Sequence, residues 1–268
     1  MNIKSTTIYG NNSHGKYAWV GVIINNKLYE CCTSRIGPFR NLEDLGYKIA
    51  ATIGWGSFYL VSDEPISNIE ELKGKEIYNT GKGLTPDIIF KEVLNYNNIL
   101  EDDINLSYVG AASELAPLII SGKAKFAVIP EPALSTVMEK KPDLNILLNL
   151  NEEWSKNNNV KRGYPQSTLV IKEDFYNEIK DNGAYEDIIS VLKEAEEYAI
   201  NNPQETADIC EKLGITVNKN VIDKSIKNSN LSFTEIEECV DEYKVYFNAI
   251  SSDDKESGNE YSELFIER

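Results

Sequence analysis

At 268 residues, with 41% apolar and 26% charged side chains, the chain is long enough to bury a sizeable core without disulfide or metal staples. Its 27 Lys and Arg against 43 Asp and Glu give a net charge of −16, which repels phosphate backbones and anionic lipid, so no nucleic-acid partner is expected. One histidine, His14, and four cysteines (Cys31, Cys32, Cys210 and Cys239) without a CxxC spacing argue against a Cys/His metal centre.

The first residues, MNIKSTTIYGNNSHGKYAW, lack the apolar stretch of an export signal, and no run approaches the ~18 apolar residues of a membrane span. Residues 17–30 read as a β-hairpin turning at Asn25-Asn26. Residues 41–48 fit a short helix or a loop. Residues 48–62 give two apolar runs broken by Gly54-Trp55-Gly56, read as strand, glycine loop, strand.

An alternating pattern follows: a helical turn over Ser67–Leu72 stopped at Lys73-Gly74, a strand over Lys75–Asn79, and a helix from Thr85. A strand over residues 104–110, a helix over 113–123, a strand from Phe126, a helix over 133–141 and a strand over 145–150 continue it. Strands alternating with helices through short loops specify βαβ units and a mostly parallel sheet, so the fold class is α/β.

The asparagine-rich stretch Asn151–Arg162 reads as a surface loop, and residues 167–175 as a strand. From Tyr185 the pattern is helical. A second helix opens at Pro203 and ends at Gly214, and a third, over TEIEECVDEYKVYFNAI, takes Thr234 as its N-cap. Cys210 and Cys239 fall in these helical patterns as small core residues. The tail from Ser251 is polar and poorly patterned.

Three features could bind a ligand. In NTGKGLTPDIIF, residues 79–90, a strand ends, Gly81 and Gly83 turn the chain, and a helix begins with Thr85 as N-cap and Pro86 at its first position. Backbone N–H groups there, with Lys82, can hold a carboxylate, sulfonate or phosphate. A well-capped strand-to-helix turn accounts for the same residues equally, and Asp87 in the first turn would repel an anion. In VIPEPAL, Pro130 and Pro132 fix the direction of Glu131 at a strand's C-terminal end, where ligands bind in open α/β sheets; a rigid connection explains them as well. Trp55, flanked by Gly54 and Gly56, can stack on a ligand or simply pack. A Ser-His-Asp or Cys-His site would have to use His14, and neither GxSxG nor HExxH occurs, so no catalytic residue and no cofactor is assigned.

Taken together, WGSFYLVS…ISNIEELKGKEIYNTGKGLTPD, LSYVGAASELAPLIISGKAKFAVIPEPALST, LNLNEEWSK and EEYAINNPQETADICEKLGI resemble the solute-binding proteins of nitrate/taurine-type ABC importers, the NMT1/THI5-like group. The resemblance implies a type II periplasmic-binding-protein-like fold of two lobes, residues 1–65 plus 166–268 and residues 66–165. The chain would cross between lobes at Phe58–Ser62 and Thr168–Ile171, and Gly54–Gly56, Gly81–Pro86 and Pro130–Pro132 would line the cleft. It further implies capture of a small organic molecule or anion without turnover, an ABC permease as membrane partner, and a place outside the membrane or in the periplasm, with a pyrimidine-synthase- or menaquinone-pathway-type enzyme on the same fold, or a truncated non-binding paralogue, as the alternatives. The segment before Trp55 is shorter than that family's first lobe, with the hairpin at 17–30 standing where a βαβ start is expected. A lipoprotein cysteine after an export signal, usual in the group, is not matched by Cys31-Cys32.

Overall fold

Residues 3–10, 17–24, 27–35, 46–214, 218–250 and 260–267 are described by a computed structural model. Among the described residues, eleven strands fall into two sheets. The strands are β1 Ile3–Gly10, β2 Tyr17–Ile24, β3 Lys27–Arg35, β4 Tyr47–Trp55, β5 Phe58–Ser62, β6 Glu76–Thr80, β7 Asn105–Val109, β8 Phe126–Pro130, β9 Asn145–Asn149, β10 Pro165–Lys172 and β11 Leu231–Glu235. The α-helices are α1 Thr85–Tyr96, α2 Ala112–Ile120, α3 Ala133–Lys140, α4 Leu150–Asn158, α5 Glu173–Ile179, α6 Ala184–Asn201, α7 Pro203–Lys212, α8 Lys219–Asn228 and α9 Val240–Ile250.

The chain divides into two units. One comprises Met1–Gly54, Pro165–Tyr198 and Leu231–Arg268, the other Trp55–Tyr164 and Ala199–Asn230. Residues 55–65 and 199–230 thus fall outside the lobe expected for them. The reason is pairing: β5 is hydrogen-bonded to both β8 and β9, and α8 packs on α3, with the Tyr59 hydroxyl donating to Asn228 O at 2.7 Å. The strand Phe58–Ser62 is therefore interior to the second unit's sheet rather than a crossing.

In the first unit the strand order is β1-β2-β3-β10-β4-β11. β2 and β3 form the expected hairpin, with Ile24 opposite Lys27; its turn residues Asn25-Asn26 lie outside the described residues, as do 41–45 and His14. Below the sheet, the Tyr243 hydroxyl lies between Thr52 Oγ1 at 2.9 Å and Thr168 Oγ1 at 2.8 Å, so a buried phenol on α9 ties β4 to β10. Tyr243, Phe247 and Phe265 form an aromatic cluster. Phe265 bridges Ile49 in parallel, so the far end of the polar tail contributes buried Leu264, Phe265 and Ile266 to the core; residues 251–259 lie outside the described residues.

In the second unit the order is β7-β6-β8-β5-β9. β6 is parallel to β7 and β8, whereas β5 is antiparallel to β8 and β9. The α/β class holds, but this sheet is mixed rather than mostly parallel, and the pairings β1–β2, β2–β3, β3–β10 and β4–β11 of the first unit are antiparallel. Helical crossovers α1 and α2 make β6, β7 and β8 parallel, whereas β5, connected in sequence to neither β8 nor β9, enters between them antiparallel to both. Tyr59, Val61, Ala127 and Ile129 meet Leu115, Ile119, Leu134 and Val137 of α2 and α3 in one apolar cluster.

Two local expectations give way. Asn151–Arg162 is mostly helix: Asn149 caps α4 by accepting from Asn151 and Glu152 N–H, Asn159 ends it at φ 51, and fully buried Trp154 packs between Tyr96 and Tyr164. Of the asparagines that suggested a loop, Asn159 is the helix's C-cap and Asn151, Asn157 and Asn158 lie within it. Thr234 is a buried strand residue of β11, and the helix begins six residues later at Val240, beyond a 3-10 turn ending at Glu238. Cys239 is buried and Cys210 half-buried, both as free thiols. The strand β11 and the helix α8 were not legible as such.

Candidate functional site

The C-terminal ends of parallel strands β6, β7 and β8 share one edge of the second unit's sheet. Register sets Thr80 beside Val109 and Pro130 beside Phe58, and Asn149 beside Tyr59, so the turns following β6, β7, β8 and β9 and the one preceding β5 gather there. The sequence-nominated residues Trp55, Gly56, Gly81, Lys82, Gly83, Thr85, Pro86, Pro130, Glu131 and Pro132 come together at this edge. Gly54 ends the first unit's part of β4, opposite Leu231.

The turn after β6 is closed by its own hydrogen bonds. Gly81 and Gly83 both take positive φ, 62° and 72°, which is why glycine serves at each. Leu84, not Thr85, is the N-cap of α1; Thr85 and Pro86 occupy the first two helical positions. The expected cap is displaced by one residue because Leu84 N–H already donates to Gly81 O at 2.7 Å and holds Leu84 extended. Gly83 N–H donates to Asp87 Oδ2 at 2.8 Å, Tyr108 Oη donates to Asp87 Oδ1 at 2.6 Å, and Lys91 Nζ lies 3.4 Å from Oδ2. Asp87 is 1% exposed. Lys82 is exposed, with its ammonium 5.5 Å from the centre of the Tyr108 ring. Burial, then the bond to Asp87, raises the Tyr108 phenol far above its ordinary range.

The turn after β8 is similarly satisfied. Glu131 is 4% exposed; its carboxylate accepts from Ser135 N–H at 3.2 Å, Ser135 Oγ at 2.9 Å and Asn228 Nδ2 at 3.1 Å. Its own N–H donates to Ser57 O at 3.1 Å, joining the turns at β5 and β8. Burial first, and then the Glu131 and Glu152 charges, push the Tyr59 phenol up to about 12.

At the start of β5, Gly56 N–H donates to Tyr164 O at 3.0 Å and its carbonyl accepts from Asn230 Nδ2. A Cβ at Gly56 would lie 2.2 Å from the Tyr164 ring and 2.5 Å from Asn151 Oδ1, so only glycine fits. Trp55 is 2% exposed, with the Arg162 guanidinium 6.0 Å from its ring centre; it is a packing residue. Phe58 and Tyr164 stack at 6.3 Å.

Sequence reasoning missed Glu114, Asn149, Asn151 and Asn228. Glu114 had a readable signal: it follows Gly110 by four, as Asp87 follows Gly83, and its Oε2 accepts from Gly110 N–H at 2.9 Å. An acid four residues after a strand-ending glycine marks a side chain folded back onto a helix start. Asn149 carried the local signal of an N-cap two and three residues ahead of its donors, whereas Asn151 and Asn228 had none, because Arg162, Tyr164 and Glu131 lie far along the chain. Among the described residues no group of three or more His, Cys, Asp or Glu is arranged to hold a metal ion.

The NMT1/THI5-like family matches residues 51–206, more than half of the chain. The chain belongs to this family. The matched span holds every nominated site residue from Gly54 to Pro132. Among solved structures similar to this family member is an ABC transporter protein from Parabacteroides distasonis, 26% identical, with a TM-score of 0.69, covering 85% of this chain and 77% of that one. The periplasmic aliphatic sulphonate-binding protein SsuA from Escherichia coli is 13% identical with a TM-score of 0.63, covering 80% of this chain and 66% of that one. The zinc-bound ligand-binding component of an ABC-type import system from Staphylococcus aureus is 10% identical with a TM-score of 0.59, covering 85% and 74%. The last two establish the fold alone. No curated protein matches significantly.

Proposed function

We propose that this family member is the solute-binding component of an ABC importer, capturing a small organic molecule at the C-terminal edge of the second unit's sheet without transforming it. The observation that carries this reading is the convergence at one sheet edge of the turns after β6, β7 and β8, inside the span matched by the family. The similar solved structures named as ABC transporter or ligand-binding components support capture over catalysis. An ABC permease is the membrane partner, and the outer face of the membrane or the periplasm is the place of work. Among the described residues no helix is long and apolar enough to cross a membrane, in keeping with a binding component that docks on a separate permease.

A thermal-shift screen against a chemically broad panel tests this reading, because a ligand that binds only the folded chain raises its Tm by mass action. A hit confirmed at one-to-one stoichiometry by calorimetry, and recovered chemically unchanged, supports it. Conversion of the hit to a product overturns it in favour of an enzyme on the same fold.

A further inference from the structure

The chain's one Asn-Gly dipeptide, Asn182-Gly183, lies in the turn between α5 and α6. Both residues are exposed. Asn182 Oδ1 accepts from Ala184 N–H at 3.0 Å, which folds the carboxamide back over the Gly183 peptide, and Nδ2 donates to Glu178 O at 3.2 Å. Gly183 takes φ 80, and nothing lies within 4 Å of where a Cβ would be. Asparagine is a thermally labile residue. Its carboxamide carbon is an electrophile for the backbone nitrogen of the next residue, and a side chain on that residue obstructs the approach.

Two other asparagines make the same bond without a glycine after them. Asn149 Oδ1 accepts from Asn151 N–H at 3.0 Å, but the residue between is fully buried Leu150. Asn218 Oδ1 accepts from Asn220 N–H at 2.9 Å and is exposed like Asn182, but the residue between is Lys219, whose ammonium pairs with Asp208. Of the three, Asn182 combines a held carboxamide, solvent access and an unobstructed neighbouring nitrogen. The Ala184 N–H also points at the oxygen on which negative charge develops as that nitrogen adds, an arrangement that stabilises an oxyanion. Glu186 and Asp187, in the first turn of α6, oppose the charge, so the direct bond from Ala184 rather than the helix field is the decisive contribution.

We propose that Asn182-Gly183 is a site of self-modification, converting in the folded chain to aspartate and isoaspartate. Water or hydroxide takes the Gly183 amide proton, and the nitrogen bonds to Asn182 Cγ. Nδ2 takes up a proton, the Cγ–Nδ2 bond breaks, and ammonia leaves a five-membered succinimide. Water then opens the ring. Breaking the bond from Cγ to the Gly183 nitrogen gives aspartate; breaking the bond from the main-chain carbonyl carbon gives isoaspartate. The aspartyl product keeps an oxygen for Ala184 N–H. The isoaspartyl product carries the main chain through Cγ and lengthens it by one carbon just ahead of Ala184 and Tyr185, each 1% exposed. The Tyr185 ring meets that of Tyr176 on α5 edge-on at 5.1 Å, so the isoaspartyl form loosens the packing of α6 on α5.

Incubation of the full folded chain at mildly alkaline and mildly acidic pH, followed by peptide mapping with mass spectrometry, tests this. A synthetic peptide of residues 178–188 is the unfolded reference. The expected result is conversion of Asn182 in the folded chain at a rate comparable to the peptide's, faster at alkaline pH, and roughly tenfold or more faster than at Asn149 or Asn218. Methylation by an isoaspartate-specific carboxyl methyltransferase reads the isoaspartyl share, and that fraction shows a lowered Tm. Gly183→Ala should slow conversion by roughly tenfold. Asn182 intact in the folded chain after the peptide has converted overturns the proposal, and this comparison needs no variant to fold. Equal rates at Asn182 and Asn218, or an unchanged rate in Gly183→Ala, also overturn it.

Discussion

Asn151 Oδ1 stands 1.9 Å from where a Cβ on Gly163 would be, and the same oxygen accepts the N–H of Tyr164 at 3.1 Å. With Asn151 Nδ2 donating to Arg162 O at 2.9 Å, one side chain grips three successive residues of the segment leaving the second unit. Gly163 also takes φ 105, a region L side chains avoid. Gly163→Ala is expected to cost about 2–4 kcal/mol, more than Gly183→Ala, where φ is 80 and nothing lies within 4 Å of the added carbon. Urea unfolding of the two variants reads the difference. Equal midpoints would show that backbone strain alone matters and that the Asn151 grip is unimportant.

Trp154 is fully buried, with ring centres 6.5 Å from Tyr96 and 6.0 Å from Tyr164. Trp154→Ala should destabilise the chain by about 3–5 kcal/mol, through lost transfer energy and the cavity left behind. Trp154→Phe should lose markedly less. A loss below about 1 kcal/mol for the alanine variant, measured by chemical denaturation, would mean that α4 does not belong to the second unit's core.

Tyr243→Phe removes one hydroxyl and with it the partner of both Thr52 and Thr168. Leaving the Thr168 hydroxyl to find a new partner, and Thr52 Oγ1 with Cys239 Sγ at 3.7 Å, should cost about 1–3 kcal/mol. The double variant Tyr243→Phe with Thr168→Val should lose less than the two single losses added together, since the pair is shared. Strict additivity in the denaturation data would contradict the shared network.

Glu196 on α6 is buried, and burial pushes its carboxyl up to about 7; the N–H of Phe233 acts in the opposite direction and the Glu197 charge adds a smaller rise. The folded pKa is therefore above the unfolded value of 4.5. The stability gained from the protonated form is fully present below about pH 4.5 and lost as pH rises through about 7. Glu196→Gln should flatten the decline in Tm over that window and raise Tm above pH 7. A pH profile identical to that of the wild type would show that Glu196 ionises freely in the folded chain.

How much was readable follows from the range of the forces involved. The turn at residues 80–86 was legible in outline, since positive-φ glycines and an N-terminal proline act locally. Its occupant was not evident from the loop alone, because Asp87 is fixed by Tyr108, which comes from the next strand. The loop expected over Asn151–Arg162 failed for a related reason: asparagine is both a turn former and a helix cap. Only the pocket between Tyr96 and Tyr164 that receives Trp154 decides for helix.

By itself the sequence determined the α/β class, the order of the βαβ elements from β6 to β9, and the family. Each depends on short-range periodicity and turn chemistry, which neighbouring residues carry. Tertiary structure alone decided that β5 pairs antiparallel between β8 and β9, that residues 199–230 join the second unit, and that Tyr108 holds Asp87 and Asn228 holds Glu131. Those outcomes depend on hydrogen bonds and packing between residues tens of positions apart, and on burial that obliges polar groups to find protein partners.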